Sequence, residues 1–154
     1  MAQKTFVDGD VLTAGDINTY LSHEGGAFTS HTPTVSQGAS TDIAKTINYS
    51  KYARAGRMIT WTFHLTATAA GTAGSAVTLT LPVTATSTSA VVGSGFCIDA
   101  SVQGYAGAWI GASSTTIVFE THANTAGAAF GVAPNVALAS PDELFGSITY
   151  EAAT

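Results

Sequence analysis

From residue 59 to residue 67 the chain alternates without a break between apolar and polar side chains. Ile59, Trp61, Phe63 and Leu65 stand against Thr60, Thr62, His64 and Thr66. A period of two puts each set on its own face of a β-strand, one face buried and the other polar. Val77, Leu79 and Leu81 alternate with Thr78 and Thr80 in the same way, until Pro82 stops the run. Phe145, Ser147, Thr149 and Glu151 alternate with Gly146, Ile148 and Tyr150. Further strands are expected over 47–52, 91–98, 107–110, 116–120 and 128–132. The small-residue loop 68–75, with two glycines, reads as a hairpin connection between the first two runs. With no helical segment between the strands, the expected fold is mainly β: an antiparallel β-sandwich or jelly-roll-like body. No fixed-period repeat points to a solenoid or propeller.

The composition fits such a body. Charged residues make up 10% of 154 residues, and Ala, Thr and Ser together supply roughly two-fifths. Helical bundles are rich in Glu, Lys, Leu and Arg, and soluble monomers carry more surface charge. Much of this surface is therefore expected to be Thr and Ser, covered by copies of the chain or by a larger assembly. The net charge is −5, which argues against nucleic acid as a partner. The clustered Lys45, Lys51, Arg54 and Arg57, interleaved with Tyr49 and Tyr52, read as a solvated strand edge or as intersubunit salt bridges. No run of 18 apolar residues is present, so no membrane insertion is expected. The first residues hold no apolar secretory core.

Residues 1–26 read differently. Asp8-Gly9-Asp10 signals a turn, and Thr13 with Asp16 resembles a capping box. Leu12 and Ile17 can staple the helix entry, and Ile17, Tyr20 and Leu21 form one apolar stripe. A short helix over 14–23, ended by Gly25-Gly26, is predicted. The chain divides into an anchoring segment (1–26), an extended linker or peripheral strand with a strand at 34–37 (27–45), and the β-sandwich domain (46–154).

Residues able to carry chemistry are scattered. Cys97 is alone and sits in an apolar stretch, which reads as a buried small hydrophobe. The histidines His23, His31, His64 and His122 show no metal-ligand spacing. Asp142-Glu143 follows Pro141 in what reads as a solvated turn. No nucleophile elbow or phosphate loop is present. No catalytic residue, cofactor or metal is expected, so the chain reads as a non-enzyme. Tyr105 and Trp109, flanked by Gly104 and Gly107, form a candidate glycan contact, although packing of Trp109 in the core beside Ile110 is the favoured reading.

The opening phrase Phe6-Val7-Asp8-Gly9-Asp10-Val11-Leu12-Thr13-Ala14-Gly15-Asp16-Ile17-Asn18-Thr19-Tyr20-Leu21 resembles a leader of tail-associated (minor tail or short tail fibre) β-sandwich proteins of tailed bacteriophages. So do Tyr49-x-x-Tyr52-x-Arg54-x-Gly56-Arg57-x-Ile59-x-Trp61, Leu79-x-Leu81-Pro82-Val83 and Ser147-Ile148-Thr149-Tyr150-Glu151-Ala152-Ala153. The resemblance implies a non-enzymatic structural protein of the virion, made in the host bacterial cytoplasm and usually homotrimeric. In it Phe6, Leu12, Ile17, Tyr20 and Leu21 would attach to other virion proteins. The absence of a coiled-coil or collagen-like shaft favours a tail-tip or short-fibre subunit that contacts the host surface. A capsid decoration protein and a carbohydrate-binding module are the alternatives.

Overall fold

The computed structural model describes residues 28–100, 102–122 and 128–153. Nine strands form one sheet: β1 (Thr29–Ser30), β2 (Val35–Gln37), β3 (Lys45–Ala55), β4 (Met58–Ala67), β5 (Val77–Thr80), β6 (Val92–Asp99), β7 (Gln103–Gly111), β8 (Thr116–Thr121) and β9 (Glu143–Glu151). Their order is β1-β3-β4-β9-β6-β7-β8-β5-β2, and every pairing is antiparallel. The fold is thus mainly β, an antiparallel sheet curled around one core. The anchoring helix expected over 14–23 lies outside the described residues.

The alternation rule sorts the faces. Ile59, Trp61, Phe63 and Leu65 of β4 point inward, as do Leu144, Ile148 and Tyr150 of β9. Thr60, Thr62, Ser147 and Thr149 point outward, and their hydroxyls pair across the two strands at 3.3 Å. β3 and β4 form a hairpin with a two-residue loop, Gly56-Arg57. Gly56 sits at φ 59°, the left-handed conformation such a tight loop demands and glycine adopts without a Cβ penalty.

Two expectations need correction. The loop over 68–75 does not join a hairpin, because β4 lies between β3 and β9 while β5 lies between β8 and β2. The loop instead crosses the end of the curled sheet, tied by the Gly71 amide donating to Leu138 O at 2.8 Å and the Gly74 amide donating to Gly131 O at 2.9 Å. Residues 128–132 form no strand: Ala129 makes only an isolated bridge with Glu120. Phe130 there drives its ring into the core, its amide donating to Phe119 O at 2.8 Å.

Residues 29–37 link the two ends of the sheet. Thr29 pairs with Tyr52 on β3, and six residues later Val35 pairs with Leu79 on β5. Between them His31 Nε2 meets Thr80 O at 3.0 Å, and the His31 ring lies edge-on to Trp61 at 5.1 Å. The segment expected as a linker or peripheral strand therefore supplies both edge strands of the sheet, each very short, which is one way edges are kept from pairing with stray strands. Gln37 fixes its far end. Its amide donates to Ser75 O (3.1 Å) and Val136 O (2.7 Å), and its Oε1 accepts from the Leu138 amide (2.8 Å).

The core is a chain of rings: Trp61–Phe63 at 4.5 Å, Phe63–Trp109 at 5.3 Å, Trp109–Phe119 at 5.0 Å and Phe119–Phe130 at 6.2 Å. Such offset and edge-on pairs contribute about 0.5–1.5 kcal/mol each beyond the area they bury. Glycines make room for them. Gly146, Gly95 and Gly107 stand side by side on β9, β6 and β7. The Trp109 indole lies over Gly95 and Gly146, and its Nε1 donates to Phe145 O at 2.8 Å.

Candidate functional site

The outward face of β3, β4, β9 and β6 carries a row of rings set by register alone. Tyr49 pairs with His64, His64 with Phe145, and Phe145 with Phe96. Tyr49 and Phe96 are each 40% exposed. His64 stacks on Phe145 with centroids 4.1 Å apart and planes 19° apart. Phe96 rests its ring over Gly104 of β7, where any side chain would collide with it. Two residues along each strand runs a parallel row of hydroxyls, Thr62, Ser147 and Ser94. Between the rows lies a shallow open groove of about 490 Å³, floored by the backbone at Gly146 and Gly95.

At its β3 and β4 end the ring row is flanked by polar groups on both sides. A β-bulge between Ile47 and Tyr49 sets Asn48 apart from the regular register. Its Nδ2 lies 3.1 Å from His64 Nε2 and donates to Thr66 Oγ1 at 2.7 Å. His64 Nε2 also lies 3.1 Å from Glu143 Oε2. When that nitrogen carries the proton it donates to the carboxylate; when it does not, it accepts from the amide. On the side of the hydroxyl row, Lys51, in register with Thr62, sets its Nζ 5.9 Å from the Tyr49 ring centroid.

Beyond this groove, Val92, Ile110 and Val118 stand in register on the outward face of β6, β7 and β8. Val92 is 60% exposed. From residue 58 onward the chain contains Asp99, Glu120, Asp142, Glu143 and Glu151 but no Lys or Arg. This outer stripe therefore has almost no charge around it.

The residues singled out by sequence fall as follows. Phe6, Leu12, Ile17, Tyr20 and Leu21 lie outside the described residues. Trp109 is fully buried and Tyr105 is 6% exposed, in ring contact with Phe130, so neither offers a face to a glycan. Both occupy inward positions of β7, as the favoured reading of Trp109 had it, although Ile110 next to it faces outward. Cys97 is buried, and that burial, followed by the charge of Asp142, pushes its thiol well above the ordinary range. Two of the four basic residues in the cluster are ion-paired within the chain, while Lys51 only lies over the Tyr49 ring. Lys45 pairs with Asp42 at 2.7 Å, Arg57 pairs with Glu151 at 3.1 Å, and Arg54 donates to Gly56 O.

Asp142 corrects the solvated-turn reading. It is buried, and its carboxylate accepts from the Ala100 and Ala139 amides at 2.9 and 2.8 Å, tying the β6–β7 turn to the approach of β9. Glu143 leaves that turn as the first residue of β9. The row of Tyr49, His64, Phe145 and Phe96 escaped sequence reading because its members come from four strands whose order no local pattern reveals. The one local signal was Phe145 on the polar-facing set of its strand. Comparison with protein families, with curated proteins and with solved structures finds no match.

Proposed function

We propose that this chain is a non-enzymatic structural subunit of a bacteriophage virion, a tail-tip or short-fibre component. Residues 1–26 attach it to other virion proteins, and its β body assembles with copies of itself as a homotrimer and faces the host. The observation that carries this reading is the outward apolar stripe of Val92, Ile110 and Val118 in a region without a single basic residue. Val92 is exposed and Ile110 and Val118 beside it are half-buried, and a contiguous apolar patch on an outer face marks a protein contact. The leader phrase in residues 6–21 supplies the virion context.

Three groups that could do chemistry are committed to structure: Asp142 clamps two amides, the Gln37 side chain makes three hydrogen bonds, and Cys97 is held as a neutral thiol.

Light scattering behind size-exclusion chromatography tests the proposal on the full chain. A defined oligomer at micromolar concentration is expected, and immunogold labelling should place the subunit on the tail of its particle. A stable monomer that labels no particle would overturn it.

A further inference from the structure

We infer that the groove between the ring row and the hydroxyl row binds a neutral oligosaccharide. This rests on the reading of the β body as an outward-facing, host-contacting surface. The groove crosses four strands, a span of about 14 Å at the usual strand spacing, which is the length of a short oligosaccharide. Its two walls lie about 7 Å apart, twice the rise per residue. One wall presents aromatic faces and edges, the surface against which the C–H face of a pyranose packs. The other presents the Ser94 hydroxyl and the Thr62 and Ser147 hydroxyls, which bond to each other at 3.3 Å and keep lone pairs with which to accept. A saccharide carries the same two chemistries on its two faces.

Charge narrows the class. The nearest carboxylate, Glu143, is engaged by His64, and Lys51 leans over Tyr49. The groove itself is lined by rings, hydroxyls and glycine backbone, which match a neutral sugar, and Lys51 stands as a cation only at its β3 end, beside Thr62. The site is also stiff where it must be. Trp109 holds the carbonyl of Phe145 from inside the core, and Phe96 is seated on Gly104. A surface whose rings are already placed loses little freedom on binding.

The test uses the full-length protein and a panel of neutral oligosaccharides of glucose, galactose, mannose and N-acetylglucosamine, read by saturation-transfer NMR and then by titration. At least one member should bind. Tyr49→Ala should weaken it about tenfold, in line with the loss of one aromatic contact, and Thr62→Val should weaken it as well. Both variants should keep the parent's thermal transition and its mass in light scattering.

Absence of binding by the folded parent across the panel overturns the inference. So does undiminished binding in a Tyr49→Ala/Phe96→Ala double variant. If that double variant falls to a monomer, the face is a contact between subunits and the inference is likewise overturned. A parent that binds saccharide but is monomeric and absent from any particle would instead sink the virion reading and leave the groove standing.

Discussion

At the scale of single residues, glycine and tryptophan act as one unit. Trp109 reaches from β7 across β6 to bond with β9, and it can do so because Gly95 leaves its path clear. A methyl group at Gly95 would run into the indole, with Phe145 O 2.7 Å away on the other side. The ring cannot swing aside, since Phe63 and Phe119 pack against it at 5.3 and 5.0 Å. Overpacking a close-packed interior usually costs about 1–3 kcal/mol. Gly95→Ala should therefore lower stability by about that amount in urea unfolding. An unchanged midpoint would mean that the indole is not wedged.

His31 makes a second residue-scale prediction, this time on pH. Burial lowers its pKa below the ordinary 6.5, and the bond to Thr80 O only partly opposes that. The unfolded chain then takes up the proton before the folded one does. The contribution of a neutral His31 to stability is fully present above pH 6.5 and declines as the pH falls through that value toward the lower folded pKa. Thermal transitions measured from pH 8 to pH 5 should fall in that window. His31→Gln should flatten the acid arm; an identical pH profile in the variant would assign the arm to other groups.

At the scale of elements, what could be read from sequence and what could not separate cleanly. β4 was legible over its whole length because four large apolar residues alternate with polar ones. β5 ended where Pro82 required. β7 was read short, since Gly104, Ala106, Gly107 and Ala108 carry too little side chain to show a period. Strand order was not legible at all. A short loop between two runs implied a hairpin, yet β4 finds its partners in β3 and β9, which lies about 80 residues further along. The outward ring row inherits that blindness, because it exists only once four strands are in register.

The segment 28–43 tests the element scale by truncation. Val35, Gln37 and Ile43 are buried, and β1 and β2 occupy the two edges of the sheet. Removing residues 1–26 should leave the cooperative thermal transition of the β body in place. Removing residues 1–40 should abolish it, because the Gln37 bonds and both edge pairings go with them, and each buried partner left unpaired costs about 1–3 kcal/mol. Calorimetry on the two truncations decides. Loss of the transition in the shorter one would make residues 1–26 part of the core rather than an anchoring arm.

At the scale of the whole molecule, the distribution of charge predicts how copies hold together. All five basic residues lie at or before Arg57. Contact through the outer face of β6–β8 therefore cannot rest on ion pairs between its own strands and must come from burying Val92, Ile110 and Val118. Association driven by apolar burial is strengthened by excluded salts such as sulfate, whereas exposed ion pairs weaken as salt rises. Sulfate should thus raise the assembled fraction in dilution experiments, and sodium chloride over the same ionic strength should not lower it.

Val92→Asp is the sharper arm of that test. The residue is 60% exposed, so a carboxylate there stays hydrated in the monomer and leaves the fold intact, but it cannot be buried unpaired against another copy. The variant should keep its β-sheet circular dichroism and elute as a monomer at concentrations where the parent is assembled. Assembly that survives the substitution and dissolves in salt would move the subunit contact to β3 and the hairpin loop after it, where Lys51, Arg54 and Arg57 lie.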